Sequence, residues 1–246
     1  MSTTFALFRR ELAVYFVSPM AYIILTGLMF IFGSIFWDGT RNATRMNAPF
    51  AYSEVLAAIS GLMVFIAPLI TMRLLAEERN RGTFETLMTA PVTELQVVLG
   101  KYAATIAFLI FLLLPTIAHA ILIGKYGTFD ASESVAGYIG LFMTTASLLA
   151  IGVFVSSICS SQVTAGVVTF AIIFILLLSA NYAQHIDGST KLGAAAKSVI
   201  ELLNPYRNMG DFTRGILDTR PIVYFLSLIV FFLFLSVRVL ELRRWK

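Results

Sequence analysis

Six stretches of this sequence are apolar and about long enough to cross the roughly 30 Å hydrocarbon layer of a bilayer as helices. Strands are a poor alternative, because a strand of a membrane barrel alternates between apolar and polar residues, whereas these stretches are continuously apolar. A content of 58% hydrophobic and 13% charged residues is also outside the usage of soluble domains. The stretches lie near residues 19–37, 55–72, 97–123, 135–158, 163–180 and 221–240. The sequence therefore predicts an all-α, polytopic membrane protein with six transmembrane helices.

The charges between the spans predict the orientation. Six crossings place both termini on one side, and basic residues are retained in the cytoplasm. The segments on the terminal side carry ten basic and six acidic residues, whereas the opposite segments carry eight of each. We therefore expect both termini in the cytoplasm. The basic pI of 9.3 reflects this topology and does not indicate a nucleic-acid partner.

Residues 1–18 precede the first span and have the pattern of an amphipathic helix. The charged residues Arg9, Arg10 and Glu11 are expected to face largely away from its apolar side. No small-residue cleavage site follows the first span, so we expect an uncleaved helix lying in the membrane interface. The alternative is a polar leader without such a role. The apolar side comprises Phe5, Phe8, Leu12, Tyr15 and Phe16.

Few residues of this sequence are candidates for a catalytic, metal-binding or ion-binding site. The single cysteine, Cys159, excludes an intrachain disulfide, and the two histidines, His119 and His185, lie on different segments without a ligand cluster, so no metal site is predicted. No phosphate loop is present. His119 lies inside the third span, where an ionisable group is a candidate functional site. The alternative is a neutral imidazole bonded to a neighbouring helix.

The segment 73–96, between the second and third spans, concentrates charge. Glu77, Arg81 and Glu85 follow one another at four-residue spacing, which predicts a short helix with a salt-bridged face. Gly82 interrupts it, and Thr83 is placed to cap a second turn. A short helix held between two spans is either a docking element or a solvated connector.

The segment 181–220, about 40 residues before the last span, is too long for an idle connector. We expect two short amphipathic helices in it, which either dip into the outer leaflet as re-entrant elements or cap the bundle. An external or periplasmic partner would be met here. The predicted apolar faces comprise Leu192, Ala195, Val199 and Leu203 in the first helix, and Met209, Phe212 and Ile216 in the second.

Small residues cluster in the fourth and fifth spans and in the turn between them. Such residues allow helices to approach closely, either within one bundle or between two chains. They include Ser156, Ser157, Ser160, Ser161, Ala165 and Gly166.

Two motifs carry a family resemblance that covers essentially the whole chain. EERNRGTFETLMTAPVTELQVVLGK, from Glu77 to Lys101, resembles the first cytoplasmic loop of type-2 ABC transporter permeases. NPYRNMGDFTRGILD, from Asn204 to Asp218, is similar to permeases of the gliding-motility and copper-enzyme-maturation subgroup. The resemblance implies residues 1–18 as an interfacial helix and residues 19–246 as a six-helix domain in the inner membrane of a bacterial cell.

The resemblance further implies a permease subunit of an exporter. It would dimerise with an identical or different permease chain, contact membrane lipids and bind separate cytosolic ATPase subunits. ATP and Mg²⁺ would bind to those subunits, so no cofactor is expected in this chain and no enzymatic activity of its own. The loop 73–96 would be the coupling helix, and the substrate stays open. The expected contact residues are Glu77, Glu78, Arg81, Gly82, Thr83, Glu85 and Leu87.

Two other functions stay open. A membrane anchor or scaffold would use the same loop to recruit a cytosolic partner without transport. A membrane-embedded enzyme acting on lipids is weakly supported, because no carboxylate pair, activated nucleophile or metal cluster lies at a plausible depth.

Overall fold

A computed structural model of the chain describes residues 3–46, 50, 52–80, 82, 92–126, 130–182, 198 and 204–244. The regular structure of these residues is helical throughout. The helices are α1 (Thr3–Val17), α2 (Pro19–Met46), α3 (Tyr52–Thr71), α4 (Ala76–Asn80), α5 (Glu94–Leu113), α6 (Thr116–Tyr126), α7 (Ala131–Ile158), α8 (Gln162–Tyr182), α9 (Met209–Thr213) and α10 (Thr219–Arg244).

Six helical segments are long and apolar enough to cross a membrane, which confirms the predicted number of spans. The third span is divided into α5 and α6 at Pro115, a residue that lacks the backbone N–H needed to continue the hydrogen-bond ladder. The segments are Pro19–Met46, Tyr52–Asn80, Glu94–Lys125, Ala131–Ile158, Gln162–Ser179 and Thr219–Leu242.

The two most buried spans form the centre of the bundle. Helix α7 contacts α3, α5, α8, α9 and α10, and α3 packs along it. Small side chains make this packing close: a Cβ on Gly152 of α7 would lie 2.7 Å from the Cβ of Thr71 of α3. Ser156, Ser157 and Ala165 are also buried within this one chain. At these positions the small residues serve packing inside the bundle.

The outer spans α2, α8 and α10 expose much of their apolar surface. Phe30 of α2, Ile175 of α8 and Val230 of α10 are examples of large apolar side chains on the outside. Such surface is stable in contact with lipid or with another transmembrane helix.

The bundle has two ends that differ in chemistry. The terminal end carries α1, α4, the start of α5 and the end of α10. The far end carries the start of α3, the end of α6, the start of α7 and α9. Asp130 caps α7 there by accepting hydrogen bonds from the backbone N–H groups of Ser132 and Glu133. The hydrogen bond from the Ser132 hydroxyl and these two backbone bonds lower the pKa of its carboxyl group.

Helix α9 packs onto the far end through the apolar face that its sequence predicts. Met209 and Phe212 are buried against Gly140 of α7, where a Cβ would lie 2.7 Å from the Phe212 ring. Ile216, predicted on the same face, is instead 53% exposed. The reason is that α9 ends at Thr213 and Gly215 adopts a φ of +73°, so the helical periodicity does not reach Ile216.

Two other parts of segment 181–220 are the start of the second motif, at Asn204, and the first predicted amphipathic face. Asn204 fastens the start of the second motif to α8, because its Nδ2 donates to the Leu176 carbonyl oxygen at 2.8 Å and to the Ser179 hydroxyl at 3.0 Å. The first predicted amphipathic face, from Leu192 to Leu203, lies outside the described residues.

Candidate functional site

Helix α4, which carries the acidic part of the first motif, is fixed to the terminal end of α7. The Ser156 hydroxyl oxygen lies 3.1 Å from the backbone nitrogens of both Leu75 and Ala76, and so accepts from N–H groups at the start of α4. At the other side of α4, the Arg79 guanidinium donates to the carbonyl oxygens of Ile158 and Cys159 at 3.2 and 3.1 Å. Arginine at these last carbonyls also suits the dipole of α7. These contacts attach α4 directly to the terminal end of α7.

Four charged side chains join α4 to α1 and α5. We call Arg10, Glu11, Glu78 and Lys101 the charged junction. Glu78 Oε1 lies 2.8 Å from Arg10 Nη2 and 3.0 Å from Lys101 Nζ. Glu11 Oε1 lies 2.7 Å from the same arginine nitrogen and 3.1 Å from the same lysine nitrogen. Each cation is thus shared by two carboxylates from different helices.

The charged junction is buried on one side and open on the other. The Lys101 side chain is only 1% exposed, whereas that of Arg10 is 52% exposed. A buried ammonium group loses its hydration, and only close counter-charges with hydrogen bonds offset that loss. For Arg10, partial burial lowers the pKa, but the hydrogen bonds and charges of Glu11 and Glu78 outweigh it, and the net pKa is raised.

Helix α1 packs closely against α5. Gly100 permits the approach, because a Cβ there would lie 3.1 Å from the Cβ of Leu7. The Tyr15 ring stacks on Phe108 at 4.8 Å, and its hydroxyl donates to the Ile70 carbonyl oxygen at 2.9 Å. Burial raises the pKa of the Tyr15 phenol, so it stays a donor.

The position of Glu11 corrects one expectation about α1. The helical pattern places Arg9, Arg10 and Glu11 largely away from the apolar side, but Glu11 is buried. The buried amine of Lys101 provides the counter-charge that makes this position favourable. Arg9 is exposed, as expected.

The predicted coupling residues lie partly within the described chain. Glu77 and Glu78 lie on α4, and Gly82 follows it with a φ of +71°, which confirms a break in the helix at this glycine. Arg81, Thr83, Glu85 and Leu87 lie outside the described residues.

His119 lies on α6, away from the charged junction. Its ring packs against Phe32 and Phe36 of α2, with centroids 4.9 Å apart in both cases. Its Nδ1 is buried and finds no hydrogen-bond partner within the part of the chain that the structure describes. The structure thus shows aromatic packing at His119 and, among the described residues, no hydrogen bond from Nδ1 to a neighbouring helix.

Sequence reasoning missed the role of two members of the junction, Glu11 and Lys101. In the sequence, Lys101 enters only among the basic residues of the terminal side and as the end of the first motif, and Glu11 only among the charged residues expected to face away from the apolar side of α1. A signal for Lys101 was present, because a lysine within a helix as apolar as the third span requires a counter-charge. Its partners could not be named, since Glu11 lies 90 positions earlier on another helix.

Comparison with known proteins decides the family. The profile described as ABC-2 family transporter protein matches residues 34–243. The chain belongs to this family. Its members are membrane permease components of ABC transporters, and ATP hydrolysis takes place in a separate subunit. The predicted resemblance to type-2 ABC permeases is therefore confirmed, and the chain is a multi-pass membrane protein.

Two curated ABC-2 relatives indicate the kind of system. Both are named "Probable multidrug ABC transporter permease YbhR", one from Escherichia coli strain K12 and one from Escherichia coli O157:H7. Each is 26% identical to this chain over 176 residues, which is 72% of this chain and 46% of the relative. The matched part is thus less than half of the length of these relatives. Membership of the ABC-2 family implies, in general, a partner ATP-binding subunit and a dimeric arrangement.

Proposed function

We propose that this chain is the permease subunit of an ABC exporter and that α4, with the loop after it, is the coupling helix. The observation that carries the proposal is the charged junction, which joins α4 to α1 and to the third span through the buried Lys101. A cytosolic ATPase would seat on α4 and on the residues that follow Gly82. The terminal end of the bundle would face the cytoplasm of a bacterial cell, and the membrane would be the inner one.

In this mechanism the bound ATPase subunits close on each other when they bind ATP and Mg²⁺. The motion would displace α4, and two sets of contacts would carry it onward. Ser156 and Arg79 connect α4 to α7, the central helix, and Glu78 connects α4 to Lys101 of α5. Coupling requires that these contacts differ between the two states, because an element with equal contacts in both transmits no free energy.

The remaining partners follow from the same proposal. A second permease chain, identical or different, would pack against the exposed apolar faces of α2 and α8, the first and fifth spans. A periplasmic partner would meet the far end around α9. The word "multidrug" in the name of the Escherichia coli relatives makes drugs the first substrates to test.

The first experiment is affinity purification of the full chain from membranes in mild detergent, with mass spectrometry of the retained proteins. The native chain is expected to retain an ATPase. Glu85→Lys, in the loop after α4, is expected to lose it because it reverses a charge of the contact surface. Lys101→Met is expected to retain the ATPase but to remove the stimulation of ATP hydrolysis by substrate, because Lys101 lies behind the contact surface.

Arg238→Gln is the control, since Arg238 lies on α10 and pairs with Glu241 outside the junction. A folded native chain that retains no ATPase would overturn the proposal. A retained ATPase whose hydrolysis is equally fast with and without every substrate tested, in the native chain as well, would favour the scaffold function.

A further inference from the structure

A cavity of about 750 Å³ lies beside the charged junction, between α1, α2, α3, α4 and α5. This volume is within the range of pockets that hold small molecules. The cavity adjoins Ser18, where α1 ends and the chain enters the first span, and Arg73, which lies two residues after the end of α3. Two spans therefore leave the hydrocarbon at this level, which is where lipid head groups lie.

Arg73 lines this cavity and has hydrogen-bond donors that the described residues do not all satisfy. Its Nη1 donates to the Ser18 hydroxyl oxygen at 3.1 Å, and its buried Nε finds no partner in the part of the chain that the structure describes. Within those same residues no carboxylate forms an ion pair with Arg73. A buried guanidinium donor without an acceptor is costly, so an anion bound from outside would be favoured.

The other charges of the cavity wall are already engaged. Arg10 and Lys101 are shared by Glu11 and Glu78. Glu77, the third carboxylate of the wall, is not free either. Among the described residues of the wall, the cation available to an incoming ligand is therefore Arg73.

The rest of the wall is apolar and leads away from Arg73 along the two spans. Met20 and Ile24 of α2 and Leu69 of α3 line this side. At the mouth, Val17 is 83% exposed and Val14 is also exposed, so apolar side chains border the opening. A cation at one end and an apolar channel at the other are complementary to an amphiphile with an anionic head.

We propose that this cavity binds an anionic phospholipid from the leaflet at the terminal end. Its phosphate would accept hydrogen bonds from Arg73 and Ser18, and an acyl chain would lie along Met20, Ile24 and Leu69. The planar guanidinium fork matches phosphate geometry, and cations at the membrane boundary attract anionic lipids. This site requires no ATPase, so it stands or fails independently of the proposed transport function.

Native mass spectrometry of the full chain in detergent tests the site. Phosphatidylglycerol or phosphatidylcholine is added at equal concentration, and retained lipid is counted. Phosphatidylglycerol is expected to bind about tenfold more tightly, and Arg73→Gln is expected to reduce it to the level of phosphatidylcholine. Arg238→Gln, which removes an exposed arginine at the same end, is expected to change nothing. Equal retention by native and Arg73→Gln chains would overturn the proposal.

A second pair of variants leaves Arg73 intact. Val14→Glu places a carboxylate at the mouth and is expected to lower phosphatidylglycerol retention several-fold, whereas the neutral Val14→Gln is expected to retain it. Equal retention by both would contradict the placement of the head group.

Competition separates a lipid from a free anion. Inorganic phosphate and glycerol phosphate lack acyl chains, so millimolar concentrations are expected to leave phosphatidylglycerol bound. Displacement by either would show a small-anion site and would overturn the lipid assignment.

Discussion

The two ends of the bundle hold their short helices by different forces. At the terminal end, α4 is held by charges and hydrogen bonds, with Lys101 at its centre. At the far end, α9 is held by Met209 and Phe212 packed onto the bare surface of Gly140. A hydroxyl group also stabilises the far end. The Ser53 hydroxyl contacts Glu133 and lies 2.9 Å from the Thr213 carbonyl oxygen.

This difference in contacts indicates which end of the bundle is able to rearrange its interactions. Close packing against glycine has one good arrangement, and a displaced ring leaves a void or a clash. A shared set of ionic hydrogen bonds can exchange partners with little change in number, because each carboxylate already contacts two cations. The terminal end is therefore the end suited to transmit motion, and the far end is suited to hold the spans in register.

The largest effect is expected from Lys101→Met at the terminal end. The substitution leaves the buried Glu11 and the partly buried Glu78 with Arg10 as their shared cation, and removal of one partner from a buried ion pair costs about 3 kcal/mol. The free energy of unfolding, measured by denaturant titration in mixed micelles, checks this. Lys125→Met is the matched control, because Lys125 is exposed at the end of the same span. Equal losses for both lysines would mean that the junction contributes nothing to stability.

A smaller loss is expected from Gly140→Ala at the far end. The added Cβ would lie 2.7 Å from Phe212 atoms close to the backbone of α9, so α9 must shift, at a cost of about 2 kcal/mol. Gly61→Ala, on α3, meets no atom within 4 Å and is expected to be neutral or to gain up to about 1 kcal/mol of helix propensity. Thermal unfolding of both variants distinguishes them, and a stabilised Gly140→Ala chain would contradict the packing described for α9.

Ser156→Ala is expected to cost about 1 kcal/mol. It removes the acceptor of two buried N–H groups, those of Leu75 and Ala76. Ser157→Ala is a close control, because among the described residues the Ser157 hydroxyl donates within its own helix, to the Phe154 carbonyl oxygen. Hydrogen exchange of the Leu75 and Ala76 amides is expected to accelerate in the first variant alone. Unchanged exchange in Ser156→Ala would show that another group holds α4.

The two ends also differ in how much of them the sequence predicts. The six spans follow from apolar length, and the contact of Met209 and Phe212 follows from helical periodicity, because both signals are local. The charged junction is not local: Glu11, Glu78 and Lys101 come from three helices, and no periodicity connects them. Ser156 shows the same limit, since its small size predicts close packing but not the two N–H groups that it accepts from.

The smallest effect is expected from Arg10→Gln, at the open side of the junction. The Arg10 side chain is about half exposed, so its pairs with Glu11 and Glu78 are screened by solvent and contribute less than about 1 kcal/mol. The loss is expected to shrink further as salt is raised, whereas the loss in Lys101→Met is expected to stay nearly constant, because a buried pair is shielded from the ions. Unfolding titrations of both variants at low and high salt measure this contrast. Similar salt dependence would place Lys101 in contact with water. If the loss of unfolding free energy is constant in Lys101→Met but salt-sensitive in Arg10→Gln, the buried Lys101 is a fixed cation and the exposed Arg10 an exchangeable one. Helix α1 could then release Glu78 of α4 while α5 keeps it.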